Sequence, residues 1–154
     1  RSIIMKPITF YHATDPYGFF SNFALAPITI DGVVWPTSEH YYQAQKFTDP
    51  VQQEAIRQTL PPGDAKALAW APDVQPRPDW NALRDEVMLV ALRAKFTQHA
   101  DLRARMLATG DAPLAEHTTN DFYWGDGGDG SGRNRLGELL MQVRSELANE
   151  GRED

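Results

Sequence analysis

The stretch from Asn120 to Arg135 gathers aromatics (Phe122, Tyr123, Trp124), acids (Asp121, Asp126, Asp129) and five glycines, and it runs into an amphipathic helix beginning near Leu136. Glycine lets the backbone take positive φ and approach a ligand closely. A helix N-terminus adds unpaired N–H groups and a positive dipole end suited to phosphate. Such a loop suits a ligand better than it suits packing. A second constellation is Trp35-Pro36-Thr37-Ser38-Glu39-His40-Tyr41-Tyr42-Gln43-Ala44-Gln45-Lys46-Phe47. Glu39 and Lys46 lie about two helical turns apart, so with Tyr42 and Gln43 they share one face. That face combines an acid, an amine, a phenol and an amide, which neither a solvent face nor a core face normally carries together. The bland alternative is a solvated Lys46 and a Glu39 that favours the dipole end by ~0.3–1 kcal/mol.

A third group, Tyr17-Gly18-Phe19-Phe20-Ser21-Asn22-Phe23, sets aromatics beside two small hydrogen-bonding side chains. It could stack a flat base and hold its edge. It reads equally well as a hydrophobic cluster beneath a long loop.

Several familiar signatures fail on inspection. Gly125-Asp126-Gly127-Gly128-Asp129-Gly130 spells the dinucleotide fingerprint, but no strand follows its helix to complete a βαβ unit. Asp126 and Asp129 do not have EF-hand spacing, which leaves calcium as a lesser alternative. No phosphate-loop or zinc-protease motif occurs, and His12, His40, His99 and His117 fall at no ligand spacing. No metal is expected. His117 is read as structural, at the end of a strand-like Leu114 to His117.

Composition narrows the function classes. The 154 residues suit one ordinary domain with a real core. A net charge of -6 argues against a general grip on nucleic-acid backbone, which needs clustered Lys and Arg. With no cysteine, disulfides, thiol nucleophiles and thiolate metal sites drop out together. No apolar run approaches the ~20 residues that cross a bilayer, and the N-terminus lacks a signal peptide's apolar block. A soluble, cytoplasmic protein is expected, with no membrane partner.

The elements that must position these groups follow from local signals. Ile8 to Tyr11 reads as a strand, and Pro27 to Ile30 with Val33 to Trp35 flanks the hairpin turn Asp31-Gly32. Pro36-Thr37-Ser38 opens a helix through Lys46-Phe47. Asp49-Pro50 opens another, and Pro61-Pro62-Gly63 stops it. Ala71 to Pro78 is a proline-rich loop inside the domain. Asp79 caps a long helix with Leu83, Val87, Val90 and Ala94 on its core stripe, and Asp101 to Ala108 forms a further helix ended by Gly110. The last helix carries Leu136, Leu140, Val143 and Leu147, and the tail from Asn149 is expected to fray.

The ordered motifs from Tyr17 to Phe23, Trp35 to Tyr41, Gln43 to Phe47, Leu92-Arg93-Ala94-Lys95-Phe96, Trp124 to Gly130 and Asn134-Arg135-Leu136-Gly137 resemble the NADAR family. The likeness runs from about Ile8 to Leu147. It is strongest to bacterial N-glycosidases acting on early riboflavin-pathway intermediates. It implies a single helix-rich α+β domain over residues 1–154, with an ordered core of about 8–147 and a small sheet and hairpin. It also implies hydrolysis of a bond between ribose and an exocyclic amine, without a cofactor. The small-molecule substrate is then a ribosylamine phosphate, or ADP-ribosylated guanine, free or within nucleic acid. Carried onto these positions, the resemblance makes Glu39 the general acid/base and Lys46 a Schiff-base nucleophile or a phosphate contact. Asp126 orients a hydroxyl or steadies positive charge. Phe20, Tyr42 and Trp124 are expected against the base, with Ser21 and Asn22 at its edge and Trp35 as a further substrate contact. Gly127, Arg133 and Asn134 are expected on phosphate or ribose. The rival classes are a non-catalytic ADP-ribose binder and a calcium-stabilised module.

Overall fold

The computed structural model describes residues 5–153. Among them the fold is α+β, with six helices and two two-stranded sheets. They group into two compact units. One runs to Ser21 and resumes from His99, and the other is Asn22–Gln98.

The Asn22–Gln98 unit begins with the hairpin β2 (Ile28–Ile30) and β3 (Val33–Trp35), antiparallel, with Ile28 opposite Trp35. Asp31 and Gly32 have φ of 52° and 78°. Positive φ at both central residues is what a type I′ turn demands, in keeping with the hairpin turn expected at Asp31-Gly32. Helix α1 (Ser38–Ala44) starts at Thr37, whose hydroxyl accepts the His40 N–H. It ends earlier than expected. Lys46 N–H bonds to the Gln43 carbonyl and Phe47 N–H to that of Ala44, so the last turn tightens to i→i+3 bonds and Lys46 lies beyond the helix proper. Asp49 caps α2 (Pro50–Arg57) by accepting the Val51 N–H, as read from Asp49-Pro50.

Helix α3 (Pro62–Ala69) corrects the sequence reading of Pro61-Pro62-Gly63 as a stop alone. Pro62 occupies the first turn, where its missing N–H costs nothing. Along α4 (Trp80–Gln98) the fully buried face is Met88, Leu89, Ala91, Leu92, Lys95 and Phe96, while Leu83, Val87, Val90 and Ala94 are half-buried. Asp79, expected as this helix's cap, turns its carboxylate to Arg77 Nε at 2.6 Å. Ile28, Trp35, Ala44, Phe47, Ile56, Ala65, Ala69 and Ala91 form one apolar cluster, which ties α1 to its neighbours.

In the other unit β1 (Ile8–Phe10) pairs in parallel with β4 (Leu114–Glu116), and His117 N–H extends the ladder to the Phe10 carbonyl. Helix α5 (Ala100–Ala108) matches its predicted position. Helix α6 (Arg135–Glu153) buries Leu136, Leu139, Leu140, Val143 and Leu147 and stays helical past Asn149, where fraying was expected. Gly137 admits no side chain, because a Cβ there would collide with the Leu114 carbonyl oxygen. This contact seats the start of α6 against β4.

Candidate functional site

Glu39 and Lys46 are both withdrawn from solvent, at 6% and 5% exposure. Buried ionisable groups are uncommon unless something requires them. Glu39 Oε2 accepts from Gln43 Nε2 at 2.7 Å, one helical turn along α1. Lys46 Nζ stands 3.8 Å from the centroid of the Trp70 ring. Burial is the largest influence on this amine and lowers its pKa; Glu39 pulls the other way, Lys66 adds to the lowering, and the net value falls from 10.5 to about 8. Desolvation therefore outweighs the neighbouring carboxylate. An amine at about 8 spends a useful fraction of its time neutral near physiological pH, and is then a nucleophile.

The surrounding groups hold α1 in place. Asn22 takes the Ser38 hydroxyl on its Oδ1 at 2.8 Å, accepts the Glu39 N–H on its backbone carbonyl, and points its amide at Met88 Sδ at 3.3 Å. Asn22, expected at a substrate edge, thus fastens the first turn of α1. Tyr42 packs on Trp80 at 5.1 Å and Trp35 edge-on against Tyr41 at 5.6 Å; both Tyr42 and Trp35 are buried. His40 is fully buried, with Nε2 2.7 Å from the Thr59 carbonyl and Nδ1 2.7 Å from the Thr37 hydroxyl. A carbonyl only accepts, so Nε2 carries the proton and Nδ1 accepts from Thr37. Burial lowers the pKa of His40, against the bond to Thr59. A neutral His40 is a structural pin beside Glu39.

Two residues of the Asn22–Gln98 unit, Trp70 and Lys95, are not among the site candidates that the sequence offers. Trp70 is 66% exposed yet covers the Lys46 amine, and no local signal points to it, because Pro61-Pro62-Gly63 reads as a stop rather than as the start of the helix α3 that ends beside it. Lys95 is fully buried and burial lowers it to about 7; the only sequence cue was its place in the motif Leu92 to Phe96. Gln43 was visible on the mixed face, but no bond could be assigned to it.

In the other unit the glycine-rich loop is largely fastened to itself. Asp126 Oδ2 lies 2.8 Å from His117 Nδ1, and its Oδ1 accepts from the N–H of Gly128 at 2.8 Å and of Thr118 at 3.1 Å. Burial raises this carboxyl, but the bonds from His117, Gly128 and Thr118 prevail and hold it below the usual carboxylate value. Asn134, at φ 51°, donates to the Leu114 carbonyl at 2.9 Å and accepts the Glu116 N–H at 3.1 Å. The N–H groups of Arg135 and Leu136 go to the carbonyls of Tyr123 and Trp124, so these two amides at the start of α6 serve the loop. Gly127 and Gly128 have φ of 76° and 88°, which a side chain would strain. Arg133 is exposed and stacks over Tyr123 at 5.0 Å, and Trp124 is half-buried. Phe20, expected against a base, has no exposure and packs on Phe19 at 4.2 Å and Phe10 at 5.6 Å. Ser21 beside it is also buried. Among the described residues no group of three or more His, Asp or Glu side chains could hold a metal ion, and no helix is long and apolar enough to cross a membrane.

Comparison with known proteins adds an independent finding. The NADAR domain model matches residues 9–148. The N-glycosidase YbiA of Escherichia coli (strain K12) is 55% identical over 141 residues, which cover 92% of this chain and 88% of that protein. A riboflavin biosynthesis protein of Vibrio vulnificus (strain YJ016) is 48% identical over 148 residues, 96% of this chain and 40% of that one. The NMR structure of the E. coli protein YbiA matches at a TM-score of 0.90 and 52% identity, covering 99% of this chain and 91% of that one.

Proposed function

From the premise that the chain belongs to the NADAR family and is an N-glycosidase, a hydrolase of N-glycosyl bonds, we propose that its substrate is a small ribosylamine phosphate whose anomeric carbon bears an exocyclic amine. The observation that carries this reading is the buried Glu39 and Lys46 pair, with the amine lowered to about 8. A binding module would have no reason to keep an acid and an amine of lowered pKa together out of water.

The chemistry follows from the leaving nitrogen. An exocyclic amine on the anomeric carbon retains an N–H, so its lone pair can expel the ring oxygen and give an imine. Glu39 passes a proton to that oxygen and takes the one released from nitrogen. Neutral Lys46 then adds to the imine carbon. The base leaves as a free amine after protonation by Glu39, and a Schiff base joins Lys46 to the sugar. Water adds to this carbon, Lys46 departs, and ribose phosphate closes its ring. The net change is one water consumed and one amine and one sugar phosphate released. In this reading Lys46 is assigned as the nucleophile, a role that its lowered pKa suits.

Asp126 and Asn134 are assigned to holding the glycine-rich loop in place, since Asp126 accepts from the N–H groups of Gly128 and Thr118 and Asn134 bonds to the backbone of Leu114 and Glu116 in β4. Trp124 and Arg133 keep an aromatic face and a guanidinium that suit a base and a phosphate. The test is a panel containing a ribosylaminopyrimidine phosphate, ADP-ribosylated guanosine, inosine and adenosine, with free sugar phosphate or ADP-ribose measured. Release from the first, with inosine and adenosine intact, is expected. Comparable cleavage of inosine would show that the imine route is not the one used. Cleavage of the guanosine conjugate alone would move the substrate to ADP-ribosyl compounds.

A further inference from the structure

Gln43 lies one turn from Glu39 on α1 and is 2% exposed. Its two polar atoms have very different surroundings. A carboxylate only accepts, so the atom 2.7 Å from Glu39 Oε2 must be the amide nitrogen. This fixes the amide's orientation, since a flip would set two oxygens against each other. Its oxygen, Oε1, is then buried with no hydrogen-bond partner among the described residues. Buried acceptors of this kind are rare, and leaving one unmet is costly where methionine or leucine would fill the same space. The side chain is thus held by Glu39 with its acceptor waiting for a donor.

We propose that Gln43 is a specificity-determining and positioning residue, whose Oε1 accepts a hydrogen bond from a hydroxyl of the substrate's ribose while its Nε2 aims the Glu39 carboxylate. This rests on the N-glycosidase reading above. A sugar hydroxyl suits the acceptor better than the leaving amine does. The amine's N–H is consumed when the ring opens, whereas the hydroxyl persists through the closed sugar, the imine and the Schiff base. One side chain would then couple recognition of ribose to the placement of the acid/base.

The experiment measures kcat and KM for the ribosylaminopyrimidine phosphate and for its 2-deoxy and 3-deoxy analogues, with wild type, Gln43→Met and Gln43→Glu. Wild type should lose on the order of 10- to 100-fold in kcat/KM on one deoxy analogue, the cost of an unpaired buried acceptor. Gln43→Met should lower kcat on the parent compound and no longer distinguish that analogue from it. Gln43→Glu retains an acceptor, so it should keep the discrimination while kcat falls. Gln43→Leu gives the same reading if the methionine variant does not fold. Unchanged discrimination in Gln43→Met or Gln43→Leu would overturn the inference alone, as would a wild type that treats all three sugars alike. A wild type that cleaves no ribosylamine would overturn the proposed function with it.

Discussion

Replacing Lys46 by Met should destroy activity yet make the protein more stable at neutral pH. The amine's pKa falls from 10.5 to about 8 on folding, chiefly through burial. At ~1.4 kcal/mol per unit, the folded state bears a cost of about 3 kcal/mol for holding the ammonium at pH 7. Stacking on Trp70 returns ~0.5–1 kcal/mol of that. The folded pKa is depressed below the unfolded one, so the cost is fully present below pH 8 and fades as pH climbs from about 8 towards 10.5. Urea unfolding followed by circular dichroism should therefore give Lys46→Met an advantage of roughly 2–3 kcal/mol at pH 7, shrinking to about 1 kcal/mol or less at pH 10. Any imperfect packing of methionine adds a term that does not vary with pH, so the difference between the two pH values is diagnostic. A variant whose stability change is the same at both would refute the claim that burial holds this amine near neutrality.

Other perturbations have different expected outcomes. Glu39→Gln should abolish hydrolysis, with its helical circular dichroism spectrum retained. Leu140→Ala should do the reverse: the side chain is fully buried on α6, so its loss costs ~2–5 kcal/mol in urea unfolding with kcat unchanged. Asp126→Ala frees His117 and the N–H groups of Thr118 and Gly128, and should cost ~1–3 kcal/mol at pH 7. Because this carboxyl titrates below 3.8 in the fold, that difference should be present above pH 4 and disappear as acid protonates it.

What the sequence disclosed and what it hid divide along the range of the interactions. Asp31-Gly32, Thr37, Asp49 and the α6 stripe act within a few residues, so each could be read from its neighbours. The helix carrying Glu39 and Gln43 is legible for the same reason, whereas Lys46, read onto the same helix face, lies beyond the end of α1. Helix α3 was hidden because proline both ends and begins helices, and Pro62 does the second after Pro61 has been read as the first. Phe20, Asn22 and Asn134 present ligand-like chemistry, but their partners Phe10, Met88 and Leu114 are distant in sequence, and only the fold shows them occupied. The same holds for Trp70 over Lys46. No spacing rule joins an amine to an indole across two helices.

The most direct test of the Glu39 and Lys46 chemistry is borohydride reduction during turnover of the ribosylaminopyrimidine phosphate, followed by peptide mass spectrometry. The account predicts a protein heavier by the reduced sugar-phosphate fragment, with the added mass on the peptide containing Lys46 and absent from Lys46→Arg. Robust turnover with no adduct, together with a Lys46→Arg variant that keeps most of its activity, would contradict it and leave water activated by Glu39 as the attacking group.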